Sequence, residues 1–547
     1  MSAMKEVLVI GSGISGMSAA VSCAERGMHV SLLSPFQSER AQSVMAAGGI
    51  NAVLPDNDQN DSVASHIEDT LKGGSYIAGR EAVTGLCSNA GKVVRQLEKA
   101  GTVFSREADG RIARRAFGGQ SHNRTCYCGA ATGKQIVTAL VMETRRYECM
   151  GRIERKLYRD FHSGLIQDGK CFGALVYNER TRMLEPIYAD AVIMATGGQN
   201  ALFGKTTGST LCDGYAAGRL FMQGVVLKNL EFIQYHPTTI ETPQKRMLIS
   251  EAARGEGGRL FYYENGERVY FMEDKYGPRG NLMTRDLTTR EIYSTGRQVY
   301  LDMSFLGDEL IDKKLPEVRD ICKKYAGTDI RREPVAIAPS VHFFMGGFAV
   351  NNSHETSIED LYAVGECASI YHGANRLGGN SLLAAVYSGS VAAESVSCKD
   401  TGSGSADLSA YIAEENRRLR AASDSKSSFP VMYIRDMLAE NMQNDLGIVR
   451  SEESLEKGIQ DIDFYISAAE RIRYDSSAPQ YLNYSIGGIL ALARATLTCA
   501  KERRESRGAH FRSDYPGQAE SFRCSTLISY DNGAYNVSYD REGRYES

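Results

Sequence analysis

Gly11, Gly13 and Gly16 stand in GxGxxG spacing directly after the apolar run 6–10 and before the periodic stretch 17–26. A strand, a glycine turn and a helix in that order let backbone approach a pyrophosphate at a helix N-terminus, with Ile14 and Ser15 in the same turn. The second strand ends at Ser34, where a dinucleotide fingerprint would place an acid for the ribose, so the fingerprint is incomplete. A different chemistry is offered by His236, His342 and Arg376, each in a glycine-punctuated block of the kind that forms function-bearing loops. An arginine fork gives two parallel hydrogen bonds to one carboxylate, and a histidine, neutral or charged, can complete a second. On residue type alone, a satisfied structural histidine is the commoner outcome.

The elements that must position these groups follow from pattern. Residues 6–10 and 30–33 read as strands, and the run 191–195 delivers Gly197 and Gly198 to its carboxyl end as a third. The fold class is therefore α/β: a Rossmann-type nucleotide domain assembled from distant segments, with an inserted α+β capping domain and a C-terminal helical domain. The expected boundaries are 1–235 and 339–400 for the nucleotide domain, 236–338 for the cap and 408–512 for the helical domain. Thr401–Ser405 reads as a flexible linker, and 513–547 as a short polar tail. Substrate would lie between the cap and the nucleotide domain.

Bulk properties exclude several classes. With 547 residues the chain exceeds what one core serves. Lys and Arg total 63 against 67 acids, a net charge of −4, which offers no footprint for nucleic acid or an anionic membrane surface. The N-terminal apolar run is too short for a signal or spanning segment, so no direct membrane insertion and a cytoplasmic place are expected. Of the 12 cysteines only Cys126 and Cys128 are close, in a spacing that fits neither a zinc ribbon nor a CxxC motif. They read as reduced, buried thiols, with a redox relay as the alternative; no metal site is expected.

Between Ser43 and Ile50 small residues precede Gly48 and Gly49, as needed where backbone lies against a flat ring. From this segment onward the chain resembles the fumarate reductase and succinate dehydrogenase flavoproteins. The resemblance recurs in order at Phe117-Gly-Gly119, Tyr235-His-Pro-Thr238, Ser250 to Gly258, Arg285-Asp286, His342 to Gly347, Gly365-Glu366, His372 to Leu382 and Arg504 to His510, covering roughly residues 5–530. It implies FAD as cofactor, a small dicarboxylate as substrate and hydride exchange between flavin N5 and fumarate or succinate. It also implies that His236, Ser250, His342 and Arg376 clamp the carboxylates, Ser250 keeping the hydroxyl where the family commonly has Thr. Glu251 would neighbour the substrate, and Phe117, Gly118 and Gly119 would close the pocket.

By the same carry-over Arg285 hands a proton to the substrate carbon, with Arg254 and Glu256 as the relay behind it. An arginine can act so only where nearby cations and burial bring its deprotonated form within reach. Around FAD the resemblance places Ser34, Ser43, Ala47, Gly48, Gly49, Asp213 and Arg376, with Glu366 on the ribose and Asn380, Ser381 and Leu382 at the ring edge.

Two departures sharpen the reading. Where membrane-bound members link FAD covalently through a histidine, this chain has Gln42, so dissociable FAD and reduction of the alkene are expected. Ala130 and Ala131 stand where the family often has an Asp. An iron–sulfur subunit is the expected electron partner, which would hold the chain at the inner face of the membrane. The cluster Arg503, Arg504 and Arg507 is read either as the surface meeting that subunit or as a solvated helix end. L-aspartate oxidase, which shares most of these motifs, and reductases of other enoates are the nearest alternatives. A subunit holding FAD without its own substrate site is a more distant one.

Overall fold

The computed structural model describes residues 4–55, 60–129, 131–399, 406–424, 429–469, 472–473 and 480–541; the linker expected at 401–405 and Ala130 lie outside them. Glu6–Ile10 is buried from Val7 onward and forms the middle of a five-stranded parallel sheet. Its neighbours are His29–Ser34 and Ile153–Leu157 on one side, and Ala191–Met194 and Leu361–Ala363 on the other. The strand order therefore reverses at Glu6–Ile10, between His29–Ser34 and Ala191–Met194, which in open α/β sheets is where a ligand cleft opens. Helix Ile14–Glu25 starts at that point and packs against helix Asn380–Cys398 and helix Thr132–Cys149.

The cap is a six-stranded sheet with helices around it. It has a core of its own, in which Ile240, Leu260, Leu301 and Ile337 are buried. Its two longest strands, Ile233–Glu241 and Val335–Phe344, run out of the nucleotide domain into the cap, so the expected boundaries near 236 and 338 fall inside continuous strands. Their antiparallel register slips between Gln234 and Tyr235 and again between His236 and Thr239. Such bulges re-aim side chains, and here they flank the His236 segment.

Helices Ser409–Asp424, Val431–Asp445, Glu452–Ala469 and Gln480–Glu502 form the expected helical layer. Within the stretch read as a polar tail, Ser525–Asp531 and Ala534–Asp540 form a hairpin. It pairs with Leu227–Lys228 of the nucleotide domain, Leu227 opposite Ile528. Asn532 and Gly533 form its turn with φ of 46° and 94°, the left-handed pair that two-residue hairpin turns require. The basic cluster before it also departs from expectation. Arg503 is buried between Glu231 at 2.6 Å and Glu505 at 2.9 Å, and Arg507 is buried against Glu505 at 2.7 Å. Two of its three arginines are thus structural, and only Arg504 is exposed. Among the described residues no helix is long and apolar enough to cross a membrane, and no group of His, Cys, Asp and Glu is arranged to hold a metal.

Candidate active site

One continuous cleft runs from the glycine turn to the interface with the cap. At its nucleotide end the first strand passes into Gly11, whose φ of +110° and whose approach to the Ala195 carbonyl leave no room for a Cβ. Gly16 lies against the Gly11 carbonyl in the same way, which brings helix and strand together and keeps Gly16 behind the wall. Gly13, Ser15, Ser34, Ser43, Ala47, Gly48, Gly49, Asp213, Glu366, Ser381 and Leu382 all line the cleft. Ile14 does not: its side chain is buried and its amide donates to Ser43 Oγ at 3.2 Å, so two expected cofactor contacts are partners of each other. Asn380 also turns away, accepting from Asn51 at 2.7 Å and donating to Thr70 Oγ1 at 3.0 Å beneath the loop. Its place is to anchor the helix N-terminus, not to touch a ring.

The charged end of the cleft is built from three segments. Burial would raise the Glu251 carboxyl, but the Arg285 and Arg254 guanidiniums hold it at about 2. Its Oε2 accepts from Arg285 Nε at 2.9 Å and Nη2 at 2.6 Å, while Oε1 accepts from the Gly118 amide at 2.9 Å and faces Arg254 Nη2 at 3.5 Å. Glu256, expected in the relay, is elsewhere: it pairs with Lys314 at 2.8 Å near the surface. The carboxylate between the two arginines is Glu251. Arg254 sits behind it, fully buried, donating to the Asn281 carbonyl at 2.7 Å. Burial lowers the Arg254 pKa against the pull of Glu251, with the Arg285 charge acting in the same direction as burial.

Gln234, which residue spacing did not single out, joins the arginines. Its Oε1 accepts from Arg285 Nη1 at 3.0 Å and from Arg376 Nη2 at 2.9 Å; its Nε2 donates to the Arg376 carbonyl and to Asn375 Oδ1, both at 2.7 Å. Arg376 stacks on Phe343 at 4.2 Å. Burial, then the charge of Arg285, pulls its pKa well below the ordinary arginine value. His236 and His342 face each other edge to face at 5.1 Å. Burial first, and the neighbouring arginines next, push both far below the ordinary histidine value, so both rings are neutral. Thr207 Oγ1 fixes His342 at Nδ1 from 2.8 Å. Ser250 and Phe117 complete the lining, while Gly119 stands behind it with φ of +77°.

Arg115 was also not foreseen. Buried over the Tyr127 ring at 4.1 Å, its Nη2 donates to the carbonyls of Ala47 at 3.1 Å, Gly129 at 3.0 Å and Gly48, and so fixes the glycine pair of the cleft wall. Cys126 and Cys128 are buried thiols, Cys128 pushed by burial up to about 12, which disfavours a relay.

The lining fits FAD on the molecule's own terms. Ser12 Oγ, Gln42 Oε1, His372 Nδ1 and Arg376 Nε are buried polar atoms in the residues of the cleft that find no partner among the described residues. Groups of that kind are costly unless a ligand satisfies them. Glycine turn, switch-point cleft and orphaned polar atoms define the class: a dinucleotide-binding protein.

Comparison with known proteins bears this out and narrows it. Residues 6–382 match the family of FAD binding domains, and residues 435–544 match the fumarate reductase flavoprotein C-terminal family, hairpin included. The succinate dehydrogenase flavoprotein subunit of Bacillus subtilis is 36% identical, over 97% of this chain and 94% of its own. The fumarate reductase flavoprotein subunit of Haemophilus influenzae is 31% identical over 98% and 93%. The structure of E. coli quinol fumarate reductase superposes with a TM-score of 0.91 at 29% identity, covering 98% of this chain and 96% of that one. The chain belongs to the fumarate reductase and succinate dehydrogenase flavoprotein family, and is an FAD-dependent oxidoreductase.

Proposed function

We propose that this chain reduces fumarate or a close dicarboxylate, with Arg285 as proton donor and with FAD held non-covalently. The observation that carries the reading is the line Arg254, Glu251, Arg285, joined through Gln234 to Arg376 at the capped end of the cleft. Three guanidiniums meet a single carboxylate there, and burial disfavours charge on His236 and His342. That balance suits a dianion, and a site of this charge without one would be poorly compensated.

Bound FAD supplies the hydride. Everything else falls to the chain. Arg376 offers its free Nε and fork to one carboxylate; Ser250, His236 and His342 receive the other as neutral donors, which orients the alkene without cancelling the charge that attracts it. Arg285 gives its proton to the carbon opposite the incoming hydride, so that the alkene gains one hydride and one proton and leaves saturated. Glu251 holds the Arg285 fork on two nitrogens and connects it to Arg254, the route by which the proton is restored. Gln42 stands where the linking histidine would be, which supports dissociable FAD and, through a lower flavin potential, the reductive direction. Electrons come from an iron–sulfur partner protein at the inner face of the membrane; the relatives' own designation as subunits supports a partner.

Arg285→Lys and Arg285→Gln test the assignment. Each should retain FAD and lose turnover by a factor of at least about 1000, the scale of removing a catalytic acid. Turnover near the parent level in either variant refutes the acid role.

A further inference from the structure

The interface between cap and nucleotide domain contains a connection that proton transfer and substrate binding do not use. Asp286 is the second residue of cap helix Arg285–Ser294, adjacent to the proposed acid. Its Oδ1 accepts from Asn375 Nδ2 at 2.8 Å. Asn375 is buried in the nucleotide-domain loop next to Arg376, and its Oδ1 accepts from Gln234 Nε2 at 2.7 Å. Gln234 in turn accepts from both Arg285 and Arg376. The four residues close a ring across the interface: Arg285 and Asp286 from the cap, Asn375 and Gln234 from the other side.

We infer that Asn375 is a positioning residue, a clasp that sets Arg285 over the cleft by holding Asp286 on one side and Gln234 on the other. The inference rests on the reading of Arg285 as the acid. Its physical basis is that an amide is the one group of that size which donates to a carboxylate with one atom and accepts from an amide with the other. A carboxylate at 375 would still accept from Gln234 but would meet Asp286 oxygen to oxygen, opening the cap side of the ring. Asp286 is half-buried, so the contact is shielded from water and its reversal is felt. Nothing in the ring touches the glycine turn that holds the dinucleotide, so the effect falls on the arginines that Gln234 holds, Arg285 within the ring and Arg376 through the shared amide.

The test is a charge swap in the full chain loaded with FAD. Asn375→Asp should lower kcat for fumarate reduction about tenfold or more, by losing one charge-assisted bond and gaining a like-charge contact, with FAD affinity unchanged. Combining it with Asp286→Asn recreates the pair with donor and acceptor exchanged, and should restore kcat to within about threefold of the parent. KM should move less than kcat throughout, because Arg376 keeps its stacking on Phe343 and the two histidines are untouched. Should Asn375→Asp fail to fold, Asp286→Ala removes the same bond without adding charge and should lower kcat in the same direction. Parent kcat in Asn375→Asp, or in Asp286→Ala, overturns the clasp, as does a double variant no better than the single one. If instead Arg285→Gln retains turnover, it is the acid assignment that has failed, and the two failures are told apart.

Discussion

Replacing Gln234 by leucine removes the only acceptor that Arg285 and Arg376 share among the described residues while keeping the side chain's approximate volume. Gln234 is fully buried, its Oε1 receives Arg285 Nη1 at 3.0 Å and Arg376 Nη2 at 2.9 Å, and its Nε2 makes two bonds of 2.7 Å. A hydrogen bond to a charged group contributes about 1.5–3 kcal/mol, and two are lost. Water or a substrate carboxylate recaptures part of that in the cleft. A net loss of about 3 kcal/mol is expected, which is roughly 150-fold in kcat/KM. The assay is fumarate-dependent oxidation of a reduced viologen, with flavin content measured on the same samples. Gln234→Glu is the control of opposite sign: it keeps the acceptor but places a negative charge where the dicarboxylate brings its own, so KM should rise more than kcat falls. If Gln234→Leu stays within about threefold of the parent with flavin bound, the arginine pair is not organised by this amide and the reasoning is wrong.

Two further outcomes follow from the cleft. Because Gln42 lines it where the linking histidine would stand, denaturing precipitation should leave the flavin in the supernatant; flavin retained on the washed pellet refutes non-covalent attachment. Glu366 has its carboxyl raised by burial from 4.5 to about 7, against the pull of the Phe344 amide and Arg376. A carboxyl with a higher pKa folded than unfolded costs nothing below the unfolded value, and its cost grows as pH rises through that interval and is complete above it. The FAD-free Glu366→Gln variant should therefore melt higher than the FAD-free parent near pH 8 and no higher near pH 4; equal shifts at both would refute the burial account.

What could be read from sequence was what chemistry restricts by residue type. The glycine turn at Gly11 to Gly16 and the helical C-terminal layer lie where their spacing placed them, because turn geometry and period leave little choice; His236 and His342 stand in strands and not in the loops expected, and only the family resemblance, not residue type, pointed to their meeting Arg376 at the cleft. Glu251 in place of Glu256 was harder: both follow Ser250 within one short helical stretch, and only the direction of each side chain, one to Arg285 and one to Lys314, separates them. Gln234 and Arg115 carry no signature at all. A buried amide matters through partners such as Asn375 that lie 141 residues away, and no local pattern records them. Arg503 misleads for the same reason, since its counter-ion Glu231 is 272 residues distant and a basic cluster looks solvated until that acid is found. The hairpin at 525–540 had a signal, Asn532-Gly533 between alternating residues, that outweighs the polar composition which suggested a tail.

The most direct test of the account is a single-turnover experiment: the FAD-loaded protein is reduced chemically without oxygen, mixed with fumarate, and followed by flavin absorbance. The account predicts rapid reoxidation with one succinate formed per flavin, and no such response to iminoaspartate, the oxidised product of L-aspartate, or to a monocarboxylic enoate. A flavin that stays reduced with fumarate, or is reoxidised equally well by the other acids, contradicts it.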